Sequence, residues 1–191
     1  MDTQDIKPVI EALLFAAGEP LNLKRIQQLL AAEPGLEDEV SLVEVSRALE
    51  ELQETYAQRP IELKEIASGF CFQVRPLYAK WMARLWEEKP PRFSRAFLET
   101  LALIAYRQPV TRAEIEEIRG VSVSPNIMKT LLEREWIQVV GHKEVPGRPA
   151  IFATTKQFLD HFNLKSLEQL PALAVIEPEL SAQVDLPLEN Q

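Results

Sequence analysis

The letters around Pro20 return around Pro109, and this repeat constrains the fold more than any other feature of the chain. At a spacing of 89 residues Leu14 meets Leu103, Phe15 meets Ile104, Ala16 meets Ala105, Leu21 meets Val110, Asn22 meets Thr111 and Ile26 meets Ile115. Two copies are too few for a solenoid, so the repeat points to a duplicated small domain. The fold must be one that each half can complete by itself.

Periodicity and punctuation give the order within each half. Ile6, Val9, Ile10, Leu13, Leu14 and Ala17 share a helical face that Gly18-Glu19-Pro20 ends. Asn22 is placed to cap a second helix carrying Leu23, Ile26, Leu29 and Leu30, and Pro34-Gly35 breaks it. Ser41 with Glu44 forms a capping box for a third helix through Val45, Leu49, Leu52 and Tyr56. After Pro60 the period shortens to two. Ile61 to Ile66 reads as a strand, Ser68-Gly69 as a turn, and Phe70, Phe72 and Val74 as one face of a return strand.

Leu77, Tyr78, Trp81, Met82 and Leu85 then recur at helical spacing before the linker signal Pro90-Pro91. The second half repeats the order. Ser94 caps a helix to Tyr106, Thr111 and Glu114 form another capping box, Gly120 ends that helix, and Ser124-Pro125 starts a third with Ile127, Met128, Leu131 and Leu132. Trp136, Val139 and Val140 suggest a strand, His142 to Arg148 a hairpin loop, and Ala150 to Ala153 the return.

Three helices closed by a hairpin is the order of a winged helix-turn-helix. The expected fold is mainly α with small β-hairpins, in two tandem winged-helix domains. Residues 1–76 form the first, 77–91 a connecting helix and proline linker, and 92–171 the second. Within the last, Thr155 is placed to cap a helix holding Phe158, Leu159 and Phe162, with Asn163 left-handed at its end and Ser166 to Gln169 as one more capping box. Residues 172–191 read as an acidic, disordered tail able to dock as a short motif.

Charge divides along the same lines. The chain's net charge is -8; residues 1–88 carry 16 acids and 9 bases, 89–171 carry 9 acids and 12 bases, and 172–191 carry 4 acids and no base. General coating of nucleic acid or anionic membrane is therefore not expected, and any DNA contact is confined to the second domain. Cys71 is the single cysteine, so no internal disulfide forms. Asp2 and Asp5 stand where a secretion signal needs positive charge, and the longest apolar runs reach only about a third of a bilayer span. A soluble cytoplasmic protein without membrane contact is expected.

Catalytic chemistry finds no support. The six glycines make neither a P-loop nor a dinucleotide fingerprint, and Gly120-Val121-Ser122-Val123-Ser124 lacks the second glycine of a nucleophile elbow. His142 and His161, the two histidines, stand far apart in sequence from each other and from Cys71, which gives no metal spacing, so neither metal nor cofactor is expected. Glu114, Glu116 and Glu117 read as helix N-terminal acids rather than a catalytic pair. Cys71 reads as a quiet, partly buried thiol, Trp81 and Trp136 as core, and Trp86 as a candidate interface residue.

DNA reading fares little better. The third helix of the first half offers Glu44, Ser46, Arg47, Glu50, Glu51 and Gln53, where carboxylates outnumber the one arginine. The second half offers Asn126, Lys129, Thr130, Glu133 and Arg134, with His142, Lys143, Glu144 and Arg148 on the wing. Phosphate neutralisation calls for a denser cationic face. A winged-helix transcription regulator is the second reading, and docking to protein the first.

One stretch carries a family resemblance. Glu99-Thr100-Leu101-Ala102-Leu103-Ile104-Ala105-Tyr106-Arg107-Gln108-Pro109-Val110-Thr111-Arg112-Ala113-Glu114-Ile115, continuing to Ile118-Arg119-Gly120-Val121, resembles the signature of the bacterial segregation and condensation protein B family. Val140-Gly141, Pro146-Gly147-Arg148-Pro149, Thr154-Thr155, Phe158-Leu159 and Leu167 to Pro171 extend it across about residues 6–171. His142 replaces a frequent arginine, Ala153 a frequent glycine, and Asn163 stands near another.

The resemblance implies a non-enzymatic subunit of the bacterial condensin complex. Two winged-helix domains, homodimerisation mainly through the first, and docking of a kleisin subunit (segregation and condensation protein A) by the second are implied with it. The kleisin would bridge to an SMC ATPase, DNA contact would be indirect, and the complex would act on the nucleoid. Candidate partner-binding residues are Tyr106, Arg107, Gln108 and Pro109 at the helix 1–2 turn, Arg112 and Arg119 on helix 2, and Arg148 on the wing. Turn and core packing is the competing role for the first four, a solvated face for Arg112 and Arg119, and anchoring of the wing for Arg148.

Overall fold

The computed structural model describes residues 3–32, 40–85 and 93–172. In the first domain, α1 (Thr3–Ala17), α2 (Leu23–Ala31) and α3 (Leu42–Thr55) are followed by β1 (Ile61–Ile66) and β2 (Gly69–Val74). Local chemistry sets where the helices begin. The Asn22 side chain accepts from the Arg25 N–H, and Ser41 and Glu44 cap each other reciprocally. A cap is worth about 1 kcal/mol. Each buried aliphatic side chain contributes roughly 1.5–3 kcal/mol, so the core holds the domain. Ile10, Ile26, Val45, Leu49 and Leu52 are its fully buried centre, drawn from all three helices.

The second domain repeats this plan with α5 (Arg95–Arg107), β3 (Val110–Thr111), α6 (Arg112–Arg119), α7 (Pro125–Glu133), β4 (Ile137–His142), β5 (Ala150–Thr154) and α8 (Lys156–His161). Between the domains lies a short helix α4 (Ala79–Met82). Ile104, Ile115, Val123, Leu131 and Ile137 centre the second core, and Phe93, Phe97, Trp136, His161 and Phe162 pack as one aromatic cluster beside it. Asn163 is left-handed as expected (φ 56°), and Gly120, expected to end its helix, does so in the same conformation (φ 69°).

A third strand was not expected from sequence. In the second domain β3 pairs with β5, Val110 opposite Phe152 and Thr111 opposite Ile151, giving sheet order β3-β5-β4. In the first domain the same pairing shrinks to one bridge, with the Leu21 N–H 3.0 Å from the Phe70 carbonyl and the Phe70 N–H 2.8 Å from the Leu21 carbonyl. Leu21 and Val110 are the same position of the sequence repeat. A pairing of one or two residues leaves no alternation to read.

Other expectations are corrected. The helix expected across 77–88 is a 3-10 turn (Pro76–Tyr78) running into the four residues of α4 and a turn to Leu85, and 86–88 lie outside the described residues. Trp81 is 47% exposed rather than in the core, while Trp136 is 3% exposed as expected. Apolar spacing marks a helix face without saying what covers it. Val74 is exposed, so the face of β2 that carries Phe70 and Phe72 is less buried at its far end than its pattern suggests. Ser166 caps nothing; Leu167–Gln169 is a 3-10 turn in which Gln169 Oε1 accepts from the Lys165 N–H. Trp86 and the tail from residue 173 onward also lie outside the described residues.

Gly69 sits where β2 approaches Leu21. Its φ is 143°, and a Cβ there would lie 2.4 Å from the Leu21 carbonyl carbon. Gly69→Ala is expected to destabilise the first domain by about 1–3 kcal/mol, from backbone strain and the opened bridge. Urea unfolding checks this, and an unchanged midpoint would contradict it.

Candidate partner-binding site

The region around α5, β3 and α6 gathers most of the residues singled out in the sequence, and polar locks hold it. Thr111 ends β3 and caps α6: its hydroxyl accepts from the Glu114 N–H, and Glu114 accepts from the Thr111 N–H at 2.8 Å. Lys143, at the start of the wing loop, donates to the other Glu114 oxygen at 2.6 Å. Lys143 foremost, then the Thr111 N–H and hydroxyl, hold the Glu114 carboxyl down to about 2. A wing residue is thereby tied to the N-terminus of helix 2.

Arg112 closes the next turn. It donates to Glu116 at 2.9 Å and to the Val123 carbonyl at 2.6 Å, while the Val123 N–H donates to Glu116 at 2.8 Å. The Val123 N–H, followed by Arg112, keeps the Glu116 carboxyl below its ordinary range. Arg119 reaches the other way, to Glu99 on α5 at 3.1 Å, with 9% of its side chain exposed. Its Nε is buried and finds no hydrogen-bond partner among the described residues. Arg95 first, then Arg119, lowers the Glu99 carboxyl.

The candidates therefore separate. Gln108 Oε1 accepts from the Thr154 N–H at 2.7 Å, its amide donates to the Ala105 carbonyl at 3.0 Å, and the Tyr106 hydroxyl donates to the Pro171 carbonyl. Tyr106, Gln108, Arg112 and Arg119 thus serve the domain's own structure. Arg107 and Pro109 are exposed at the α5–β3 turn. Arg148, exposed at φ 37°, pairs with Glu144 inside the wing at 3.1 Å, and it is Lys143 that ties the wing to the body.

The nucleic-acid face is thinner than its letters suggest. Arg134 lies over the rings of Phe93 and Trp136, at 4.9 and 5.3 Å, and Lys129 pairs with Glu133 at 3.6 Å. In the first domain Arg47 pairs with Glu51, beside a shallow groove formed by Leu42, Val43, Ser46 and Glu50. Val43, 77% exposed, is apolar where a DNA-reading helix carries donors, and the sequence reading passed over it. Burial raises the Cys71 thiol, while burial and then Arg134 lower His161. Among the described residues no three His, Cys, Asp or Glu side chains come together to hold a metal.

The family described as segregation and condensation complex subunit ScpB matches residues 8–173. This chain belongs to that family. A segregation and condensation protein B homolog from Coxiella burnetii is 54% identical over 191 residues, spanning 97% of this chain and 90% of the relative. The crystal structure of ScpB from Mycobacterium tuberculosis is 32% identical, covers 86% of this chain and 98% of its own, and superposes with a TM-score of 0.39. A crystal structure of a dimer of the ScpB N-terminal domain complexed with ScpA peptide is 31% identical, covers 44% of this chain and 96% of its own, with a TM-score of 0.37. Family membership rests on the sequence matches, not on these superpositions.

Because the Glu114 carboxyl is depressed in the folded chain, its contribution is present above the ordinary carboxylate range and is lost as the pH falls from 4.5 through about 2. The wild-type chain is expected to lose stability more steeply across that window than Glu114→Gln. Chemical unfolding at stepped pH checks this, and equal slopes would contradict it.

Proposed function

We propose that this chain is a non-catalytic accessory subunit of a bacterial SMC–kleisin condensin complex, acting as a homodimer that binds the kleisin ScpA. The single observation that carries this is the family match, which runs through both winged helices from residue 8 to 173. Residues 1–76 serve dimerisation and 92–171 serve kleisin docking; 77–91 connect them. ATP hydrolysis belongs to the SMC partner reached through the kleisin, DNA contact is indirect, and the complex works at the nucleoid. No helix among the described residues is long and apolar enough to cross a membrane.

The physical chemistry supports a docking role over a regulator that reads DNA. Electrostatic attraction to phosphate needs cations that are free to meet it. Here Arg112, Arg119, Lys143 and Arg134 are engaged within the second domain. The third helix of the first domain presents carboxylates and Val43. What remains for a partner at the helix 1–2 turn is Arg107 with Pro109, a cation beside an apolar ring.

The direct test is size-exclusion chromatography with light scattering on the full chain mixed with its cognate ScpA. A dimer alone and a larger joint complex are expected. Failure to form the complex, with sequence-selective binding of a short duplex at physiological salt, would overturn the reading in favour of a regulator. Arg107→Glu is expected to weaken ScpA binding about tenfold, about 1.4 kcal/mol, with the thermal midpoint unchanged. Arg119→Ala should instead lower the midpoint first. Calorimetric titration and thermal melts separate the two, and an Arg107→Glu chain that binds normally would remove that turn from the interface.

A further inference from the structure

The tip of the first hairpin does not end in solvent. The Ala67 N–H donates to the Leu164 carbonyl at 3.0 Å, just beyond α8 of the second domain. The Ser68 N–H donates to one Asp160 oxygen at 2.9 Å and its hydroxyl to the other, so one carboxylate takes both donors of Ser68. Gln73 donates to the Asn163 side chain at 2.7 Å, and Lys165 meets Glu65 at 2.7 Å. Asn163 holds its place through a left-handed backbone, φ 56°. These pairs join residues 90 to 100 positions apart.

The seam is polar where it touches and open where it is apolar. Beside it lies a groove of about 520 Å³ between Leu14, Phe15 and Phe72 on one side and Gln157 and His161 on the other. Phe15 stacks on Phe72 at 4.1 Å yet stays 51% exposed. Domain contacts held by a few polar groups, without a shared apolar core, open and close readily. Ser68 and Asp160 lie at the centre of those groups.

We propose that the tip of the first wing is a latch: Ser68, held by Asp160, fixes the second winged helix in one orientation, so that the two partner-docking units move as one body while the latch is closed. In the closed state the wing that a DNA-binding winged helix would lay on the duplex is occupied by the chain itself. The latch concerns orientation and does not depend on which partner is bound.

Double electron–electron resonance on the full chain tests it. In a Cys71→Ser background, Gln28→Cys and Lys129→Cys place one spin label on an exposed position of each domain. Dilution with unlabelled chain restricts the readout to distances within one protomer. A single narrow distance is expected with the latch intact, and a broad distribution with Asp160→Ala. That change leaves α8 able to form, because a carboxylate near a helix C-terminus opposes its dipole. Ser68→Ala with Gln73→Ala should broaden the distance from the other side of the seam. A broad distribution in the intact chain, or a narrow one that survives in both variants, would overturn the latch. Neither result bears on ScpA binding, which is read separately.

Discussion

Each winged helix closes through a short antiparallel pairing between the chain just before its second helix and its returning strand. In the first domain this is Leu21 against Phe70, in the second Val110 against Phe152. The pairing fixes the start of helix 2 and the position of the hairpin at once. In the second domain Thr111, one residue on, caps α6 while Glu114 of the same helix holds Lys143 of the wing. In the first, the residue before Phe70 must be glycine because the strand passes against the Leu21 carbonyl. The Arg112–Val123 turn and the Arg119–Glu99 strut then build outward from a helix already placed.

Much of this was legible from local letters. Capping boxes at Ser41 and Thr111 set two helix starts, and Gly120 and Asn163 took the left-handed conformation their residue types allow. The duplication itself gave the architecture. Contacts between distant residues escaped the sequence. The third strand is too short to leave a period, and Ser68 gives no sign that Asp160 lies opposite it. Arg119 reads as a surface cation because it shares a helix face with Glu116; only the approach of α5 shows that Glu99 takes it inward. Trp81 failed in the opposite sense, an aromatic at core spacing left 47% exposed.

These misplaced residues alter the functional argument more than the fold. Net charge alone left residues 89–171, with 12 bases to 9 acids, as the place where DNA contact was allowed. Among the described residues, four of those bases are engaged within the domain: Arg112 on a backbone carbonyl, Arg119 and Lys143 on carboxylates, Arg134 on aromatic rings. A mildly positive domain with these cations engaged internally offers phosphates less charge than its letters suggest.

The central claim is that the second winged helix receives a kleisin and does not read DNA. Hydrogen–deuterium exchange of the full chain, alone, with ScpA, and with duplex DNA at physiological salt, tests it most directly. The account predicts new protection with ScpA that includes the α5–β3 turn at Arg107 and Pro109, and none with DNA. Protection of α7 and the wing by DNA, with no change on adding ScpA, would contradict it.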